Sequence, residues 1–338
     1  MEIGNGAASQ SDVIAVQQAT DAAEARRFAI AHVANLGFNE LESGKLALVV
    51  TEISKNLVKH ASGGDLLLRK MERGIEVLAV DRGPGIDDVG RCFRDGYSTT
   101  GTPGTGLGAV ARLSDVYDVY SRRGQGTVVM AQVWKKNGTD APPAFRVGGV
   151  CCAIPGERSS GDRWLFQERP AGARAIIADG LGHGELAAEA AEAAVRIARE
   201  RPADPPPALL ERIHQGLRHT RGAAVAVADV DPRARVVRFA GVGNIAAIVI
   251  PVAGPWNRMV SHNGTAGHQI HKIVEFTYPW TAGSMLVMHS DGLGSNWSFD
   301  AYPGLPLRHP SVVSAVLYRD FARRRDDVTV VAAREGAS

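Results

Sequence analysis

A short polar segment divides this chain of 338 residues into two parts. Residues 135–143 read KKNGTDAPP and directly follow the apolar run at 128–134. Two adjacent prolines continue neither a helix nor a central strand, so the segment is typical of a linker. We predict a linker at 136–144 between domains at 1–135 and 145–338. At roughly 150 residues per domain, each part is long enough to bury its own core.

The spacing of apolar residues predicts an α/β chain of the α+β kind. In the first part we predict strands at 13–16, 65–71, 74–81, 116–121 and 126–134, and helices at 21–36, 40–61 and 105–114. In the second part we predict strands at 145–154, 164–168, 173–178, 223–229, 236–240, 245–252, 272–278, 284–290 and 328–333, and helices at 185–200, 207–219 and 311–323. Strands do not alternate one by one with helices, which argues against a parallel βαβ sheet.

Charge and composition exclude several classes of protein. Lys and Arg number 38 and Asp and Glu number 36, so the net charge of +2 argues against nucleic acid as a partner. No apolar run approaches the roughly 18 residues of a membrane span, and the first residues do not resemble a signal peptide. The three cysteines, Cys92, Cys151 and Cys152, cannot form a disulfide framework. We therefore expect a cytoplasmic protein without a membrane partner.

Three motifs follow one another in the first part. Glu52 and Asn56 are four residues apart on a predicted helix, so they share one face. Asp81 begins the turn DRGPG after a strand, where two glycines let a flat ligand approach the backbone. The run GTPGTGLG at 101–108 enters a helix, and such a glycine-rich start binds phosphate through its N–H groups. Each motif is weak alone, but their order and spacing together predict a nucleotide site.

These motifs resemble the N, G1 and G2 boxes of the GHKL ATPase superfamily, which includes gyrase, Hsp90, histidine kinases and MutL. The stretch DGYSTTG at 95–101 is similar to that of anti-sigma serine kinases, nearest to the RsbT type of switch kinase. The resemblance covers residues 13–134. It implies a GHKL-type two-layer sandwich that binds ATP and Mg²⁺. We expect one mixed, mostly antiparallel sheet that is covered by helices on one face.

The same resemblance implies roles for individual residues. Glu52 would be the general base toward a substrate serine, and Asn56 would ligate Mg²⁺. Asp81 would bond the adenine amino group with Thr127 nearby, and Gly104, Gly106 and Gly108 would cradle the phosphates beneath a mobile lid at about 87–103. The glycines implied to surround the nucleotide are Gly83, Gly85, Gly104, Gly106 and Gly108.

Acidic residues flank apolar runs at four places in the second part. They are Asp162, Asp179, Asp291 and the pair Asp326-Asp327. Carboxylates and a backbone carbonyl suit Mg²⁺ or Mn²⁺. Two such ions about 4 Å apart can activate a water and hold a phosphoryl group. A single Asp-Gly is usually a turn, but four such places predict a two-metal site.

This part resembles the metal-dependent Ser/Thr protein phosphatases, within them the compact SpoIIE and RsbX branch. The matching motifs are GERSSGD at 156–162, DGLGHG at 179–184, RGAA at 221–224, GVGN at 241–244, NGTAG at 263–267, SDGL at 290–293 and RDDVT at 325–329. The resemblance implies a four-layer αββα sandwich in which Asp179 bridges two Mn²⁺ or Mg²⁺ ions, aided by the Gly180 carbonyl. The remaining implied ligands are Asp162, Asp291 and the pair Asp326 and Asp327, of which Asp326 is the first choice.

Two further groups of residues need an interpretation. The phosphate-holding arginine of larger eukaryotic relatives has no obvious counterpart, and Arg158 and Arg163 are the candidates. The histidines that could suggest zinc are His183, His262, His268 and His271. Their spacing matches no zinc motif, so we predict turn and core roles for them.

Together the resemblances imply a serine kinase and a phosphatase of one signalling system on one chain. In the related systems both act on serine or threonine of STAS-domain proteins, which are anti-anti-sigma factors or stressosome components. The hypothesis is therefore a bifunctional partner-switching regulator. Two alternatives stay open. The first domain could only sequester a sigma factor or a STAS-domain partner, or it could sense ATP and regulate the phosphatase.

Overall fold

The computed structural model describes residues 10–90, 106–136 and 143–336. These residues form two compact units. The first unit contains residues 11–141 together with residues 307–319, and the second contains residues 142–306 and 320–338 with Gln10. The segment 307–319 thus belongs with the N-terminal half of the sequence, although it lies within the predicted second domain.

The first unit is built on one five-stranded sheet. Its strands are β1 (Asp12–Val16), β2 (Gly64–Met71), β3 (Gly74–Val80), β4 (Val116–Arg122) and β5 (Gly126–Trp134), in the order β1-β2-β3-β5-β4. Its helices are α1 (Ala19–Ala34), α2 (Glu40–Ala61) and α3 (Gly106–Leu113). All four strand pairings are antiparallel, so the sheet is not mixed as the sequence suggested.

Both faces of this sheet are buried. Alternate residues of β3 and β5, such as Val77 and Ala131, pack against the three helices. The residues between them point to the opposite face, yet Leu78 and Met130 are at most 1% exposed. Glu76 points to that second face as well, and it accepts a hydrogen bond from the hydroxyl of Ser311 at 2.6 Å. The segment 307–319 therefore covers the face that we expected to be free of helices.

The second unit contains two five-stranded antiparallel sheets. One has the strands β7 (Asp162–Arg169), β8 (Gly172–Gly180), β9 (Ala223–Asp231), β10 (Val236–Val242) and β15 (Phe276–Pro279), in the order β15-β10-β9-β8-β7. The other has β6 (Phe145–Cys152), β11 (Ala246–Ile250), β12 (Asn257–Arg258), β16 (Met285–His289) and β17 (Val328–Glu335), in the order β12-β11-β16-β17-β6. A small ladder joins β13 (Gly264–Thr265) to β14 (Gln269–Ile270).

Two layers of apolar packing hold the second unit together. The inner faces of its sheets share a core that includes Trp164, Phe239 and Met288. The helices α4 (Glu185–Glu200) and α5 (Pro206–Gly216) pack on the outer face of the sheet that contains β8. The buried face of α4 consists largely of alanines, which allow a helix to approach a sheet closely. A short 3-10 helix (Leu305–Leu307) precedes α6 (Pro310–Phe321), most of which belongs to the first unit.

The α+β class predicted from the sequence is confirmed. Within the three described ranges, no helix combines the length and the apolar character that crossing a membrane requires.

Candidate functional site

The turn after β3 holds the carboxylate of Asp81 in a fixed position. Its Oδ1 accepts hydrogen bonds from the backbone N–H groups of Gly83 at 2.8 Å and Thr127 at 3.1 Å. Burial raises the pKa of Asp81, against the opposing effect of these two bonds and of Arg319. No described residue donates a hydrogen bond to Oδ2. A nearly buried carboxylate with one oxygen in reserve is suited to accept from an amino group of a bound base.

The two glycines of this turn are required by packing. A Cβ at Gly83 would lie 2.7 Å from the Cα of Ala61 at the end of α2. Gly85 has a φ of +74°, and a Cβ there would lie 2.0 Å from the carbonyl oxygen of Arg122. Only glycine fits in either place without displacing backbone. The turn is therefore clamped between α2 and the β4–β5 turn, which keeps Asp81 in place.

The predicted catalytic face of α2 meets the start of α3. A Cβ at Gly106, the first residue of α3, would lie 3.3 Å from Oδ1 of Asn56. Glu52 lies one turn earlier on α2, partly exposed, and its Oε1 accepts from Nζ of Lys55 at 2.9 Å. Gly108 is buried within α3. Helix starts attract phosphate, so the amide of Asn56 lies where a phosphate-bound cation would be expected.

Two elements of the predicted nucleotide site lie outside the described residues. They are Gly104 and most of the lid expected at 87–103, of which the structure describes residues 87–90. Thr127 is described. Its side-chain oxygen lies 2.8 Å from the hydroxyl of Ser121, and its backbone N–H bonds Asp81.

In the second unit, Asp162 and Asp179 are direct neighbours across the β7–β8 ladder. Residues paired in this way point to the same face of a sheet, which here is the inner face that carries Trp164 and Ile177. Burial raises the pKa of Asp179 to about 9, and Asp162 and the other nearby carboxylates add to this. Burial likewise raises the pKa of Asp162 to about 7, although the Ser290 hydroxyl donates to its Oδ2 at 2.6 Å. Like charges paired across a sheet destabilise it, so packing alone does not account for this pair.

A cavity of about 440 Å³ opens beside this pair. Its carboxylates come from Asp179, Asp291 and Asp326. Asp291 lies two residues after the end of β16, and the side-chain amide of Asn244 donates to its Oδ2. The rest of the lining is neutral and consists of Leu181, Gly182, Ala224, Gly243, Asn244, Asn263, Gly264 and Thr265. Three of the predicted ligands thus face one space, and Asp162 is buried next to it.

The adjacent residues Asp326 and Asp327 have different surroundings. Asp326 lines the cavity. Asp327 is 3% exposed, its Oδ1 accepts from the N–H of Ile154 at 2.7 Å, and its Oδ2 accepts from the N–H of Gly161 at 2.6 Å. Both oxygens of Asp327 therefore already hold the backbone near Asp162. This geometry favours Asp326 as the ligand and gives Asp327 a positioning role.

Gly180, the predicted carbonyl ligand, ends β8 and is packed against α4. A Cβ there would lie 2.1 Å from the carbonyl oxygen of Ala187. Its N–H donates to the carbonyl of Gly161 at 3.0 Å. The glycine thus lets α4 approach the end of the strand that carries Asp179.

Comparisons with known proteins agree with this geometry. The family described as histidine kinase-like ATPase domain matches residues 15–133, and stage II sporulation protein E (SpoIIE) matches residues 169–335. The serine/threonine-protein kinase RsbT of Bacillus subtilis (strain 168) is 32% identical over 103 residues, which are 29% of this chain and 77% of RsbT. The phosphoserine phosphatase RsbX of the same organism is 25% identical over 138 residues, 41% of this chain and 69% of RsbX.

A solved structure agrees as well. A chain from work described as "The bacterial stressosome: a modular system that has been adapted to control secondary messenger signaling" has a TM-score of 0.52 and 27% identity. The match covers 57% of this chain and 100% of that chain. The chain joins a histidine kinase-like ATPase domain to a SpoIIE-type phosphatase domain.

The donor set of the SpoIIE-type domain fits hard divalent cations. Mg²⁺ and Mn²⁺ prefer carboxylate and carbonyl oxygens, and Asp179, Asp291 and Asp326 supply such oxygens to one cavity. Burial and, after it, the repulsion of nearby carboxylates raise the pKa of Asp179, and a bound cation relieves this repulsion. In the described part of the chain, no three Asp, Glu, His or Cys side chains converge on a single point. The ATPase domain fits a nucleotide because no described residue donates to Oδ2 of Asp81, so this oxygen can accept a hydrogen bond from the amino group of a base.

Arg163 is unsuited to the phosphate-binding role considered for it. Its Nε and Nη2 donate to Glu192 at 3.1 and 2.6 Å, and its Nη1 donates to the carbonyl oxygens of Ser160 and Asp162, both at 2.7 Å. All three nitrogens of the guanidinium are thus used in hydrogen bonds that hold the start of β7. Arg158, the other candidate, is exposed. Sequence reasoning could not make this distinction, because Glu192 lies 29 positions from Arg163 and forms no motif with it.

The histidines have separate surroundings in the SpoIIE-type domain. Nδ1 of His183 lies 2.9 Å from Oε1 of Glu157. Nε2 of His268 lies 2.8 Å from the carbonyl oxygen of Arg221, and the ring of His262 stacks on Phe276. His183, His268 and His271 are exposed and His262 is partly buried, so a core role is wrong for the first three.

No individual role was predicted from the sequence for two residues of the site. Ser290 bonds the Asp162 carboxylate, and Asn244 bonds Asp291. Both lie in the quoted motifs SDGL and GVGN, so the signal was present, but their partners lie far away in the chain.

Proposed function

We propose that this chain is a bifunctional partner-switching regulator that phosphorylates and dephosphorylates serine or threonine of STAS-domain proteins. The proposal is supported by similarity to a kinase, RsbT, in one half and to a phosphoserine phosphatase, RsbX, in the other. The stressosome named with the similar solved structure favours anti-anti-sigma or stressosome proteins as substrates. The observation that carries it is that Asp179, Asp291 and Asp326 line one cavity in the phosphatase half, while Glu52 is partly exposed on α2 in the kinase half.

In the kinase half, Glu52 would accept the proton of the substrate hydroxyl while the oxygen of that hydroxyl forms a bond to the γ-phosphorus of ATP. ATP supplies the phosphoryl group, and ADP leaves. Asp81 would hold the adenine through its Oδ2, and Asn56 would ligate Mg²⁺. The partial exposure of Glu52 leaves its carboxylate accessible to a partner protein.

In the phosphatase half, Asp179, Asp291 and Asp326 would hold two Mg²⁺ or Mn²⁺ ions, with Asp162 behind them and the Gly180 carbonyl as a further oxygen. The bound ions would supply an activated water and neutralise the phosphate charge. The protein positions this set through Asp327, Ser290 and Asn244. Water adds to phosphorus and the serine oxygen leaves, so the two activities together hydrolyse ATP.

The test follows label from γ-labelled ATP onto a candidate STAS-domain protein in the presence of Mg²⁺ or Mn²⁺. The wild type is compared with Asp179→Asn and with Glu52→Ala. We expect transient label with the wild type, lasting label with Asp179→Asn, and no label with Glu52→Ala.

Other outcomes separate the alternatives. No label with any variant, together with a stable complex between the chain and its partner, would replace the kinase by a sequestering domain. Label that persists equally with the wild type and with Asp179→Asn would refute the phosphatase activity on that substrate.

A nucleotide-regulated phosphatase is the second candidate, and the path of α6 favours it. In the first unit, Nη1 of Arg319 donates to the backbone carbonyl of Asp81, and Arg82 donates to the carbonyl of Arg319. In the second unit, the carbonyl of Phe321 at the end of α6 accepts from Gly294, close in sequence to Asp291. Residues of α6 thus contact the Asp81 turn within the first unit, and its last residue contacts the segment after Asp291 within the second.

This candidate has its own test. If ATP acts through α6, ATP changes the phosphatase rate of the Glu52→Ala variant as much as that of the wild type. A phosphatase rate that is independent of ATP in both proteins refutes it. An Arg319→Ala variant gives a further check, because it should reduce the response to ATP without removing metal-dependent hydrolysis.

A further inference from the structure

A guanidinium lies at the edge of the carboxylate cavity. Arg221 lies two residues before the start of β9 and is exposed. Its Nη1 lies 3.2 Å from the position that a Cβ on Gly182 would take. Gly182 and Leu181 both line the cavity that contains Asp179. The guanidinium of Arg221 therefore lies beside Gly182, one of the residues that line this cavity.

The backbone of Arg221 is fixed between two segments of the cavity lining. The N–H of Leu181 donates to the carbonyl of Gly222 at 3.0 Å, which joins the next residue to the first segment. On the other side, a Cβ at Gly222 would lie 2.9 Å from Cγ2 of Thr265, which also lines the cavity. The His268 ring, 2.8 Å from the carbonyl oxygen of Arg221, adds a third attachment. The guanidinium thus extends from a rigid base.

The charge of Arg221 is not used in the fold. Among the described residues it forms no ion pair, whereas the guanidinium of Arg163 is committed to Glu192 and to carbonyl oxygens. The carboxylates of the cavity are needed for the metal ions. A phosphate dianion that binds those ions would need donors for its remaining oxygens, and Asn263 and Thr265 alone provide no positive charge.

We propose that Arg221 is the phosphate-binding residue of the phosphatase site and that its guanidinium pairs with oxygens of the substrate phosphoryl group. This inference rests on the proposed phosphatase activity. Arginine presents a planar set of N–H donors that matches two phosphate oxygens at once, which lysine does not. The residue thus fills the position that neither Arg158 nor Arg163 was shown to fill.

The experiment measures the binding of inorganic phosphate to the full chain with Mg²⁺ by isothermal titration. Arg221→Ala is compared with Arg221→Lys and with Arg218→Ala, which removes another exposed arginine three residues earlier in the chain. We expect phosphate binding to weaken about tenfold or more in Arg221→Ala, and less in Arg221→Lys, because a charged hydrogen bond is lost. Arg218→Ala should bind phosphate like the wild type.

A second measurement separates phosphate recognition from support of the fold. Hydrolysis of p-nitrophenyl phosphate should show a raised KM in Arg221→Ala, while the Mg²⁺ affinity and the thermal unfolding temperature stay those of the wild type. Phosphate affinity within twofold of the wild type in Arg221→Ala would overturn the proposal, as would a parallel loss of Mg²⁺ affinity. No phosphate binding by the wild type would overturn it too. A wild type that binds phosphate but hydrolyses no phosphoprotein would instead count against the proposed function.

Discussion

The hydrogen bond from Ser311 to Glu76 allows a quantitative test of how the first unit is completed. Both residues are fully buried, and the Ser311 hydroxyl lies 2.6 Å from Oε2 of Glu76. The same carboxylate receives Arg69 at 2.7 Å and Gln132 at 2.8 Å. Ser311 lies in the C-terminal half of the sequence, yet its partner lies in a central strand of the ATPase domain. The Ser311→Ala substitution should therefore destabilise the ATPase sheet.

The expected magnitude follows from the charge of the acceptor. Removing a donor from a buried charged group costs about 1.5–3 kcal/mol. At 1.4 kcal/mol per factor of ten, the opening equilibrium of this sheet should rise about ten- to 100-fold. An exposed serine provides the matched control. The hydroxyl of Ser298 donates to Asp300 at 3.0 Å on the surface, and Ser298→Ala should change stability by at most about 0.5 kcal/mol.

Hydrogen exchange on the full chain can locate the effect. Amides of β3 (Gly74–Val80) should lose protection in Ser311→Ala, while amides of β7 (Asp162–Arg169) should keep theirs. Unchanged exchange in β3 would refute the reasoning. Equal loss in β3 and β7 would refute it as well, because the hydroxyl would then support the whole chain rather than the first unit.

Three further predictions concern single residues. Gly83→Ala places a Cβ 2.7 Å from the Cα of Ala61 and should abolish binding of a fluorescent ATP analogue. The control is Gly44→Ala on the exposed side of α2, where a Cβ meets nothing within 4 Å. This variant should bind the analogue like the wild type, and its free energy of unfolding should rise by up to about 1 kcal/mol. Asp179→Asn should raise the unfolding temperature in the absence of divalent ions, because it removes a carboxyl whose pKa burial and the nearby carboxylates raise to about 9; a lower temperature in a calorimeter would contradict this. Burial raises the pKa of Glu76, but Arg69 and the hydrogen bonds to the carboxylate outweigh this and hold the pKa below the ordinary value of 4.5. The ionised Glu76 therefore stabilises the fold above pH 4.5, and this stabilisation is lost as the pH falls through the pKa of the folded state. Urea unfolding of Glu76→Gln should thus depend less on acid pH than that of the wild type, and an equal dependence would contradict the argument.

The long elements were predictable from local sequence. The helix expected at 40–61 is observed at Glu40–Ala61, and the one expected at 185–200 is observed at Glu185–Glu200. The start of the first is fixed by a capping box in which Asn39 and Glu42 bond each other's backbone N–H, both at 2.8 Å. These signals lie within four residues of one another, so reading the sequence is sufficient.

Short strands were not predictable in the same way. The strand expected at 272–278 is reduced to Phe276–Pro279, and the two-residue strands β12, β13 and β14 were not expected. Such strands exist because a partner pairs with them, and two residues carry no periodic pattern of their own. Their positions therefore depend on the packing of the whole unit.

The sequence by itself predicted the acidic and glycine residues of the two candidate sites, because each stands in a local motif beside a strand or a helix. Tertiary structure decided how they are used. It paired Asp162 with Asp179 across a ladder, separated the cavity ligand Asp326 from its buried neighbour Asp327, and brought Ser311 to Glu76 over 235 positions of chain. The physical reason is the range of the interactions. Turns and caps act between neighbours in sequence, whereas burial and charge act between groups that only the folded chain brings together.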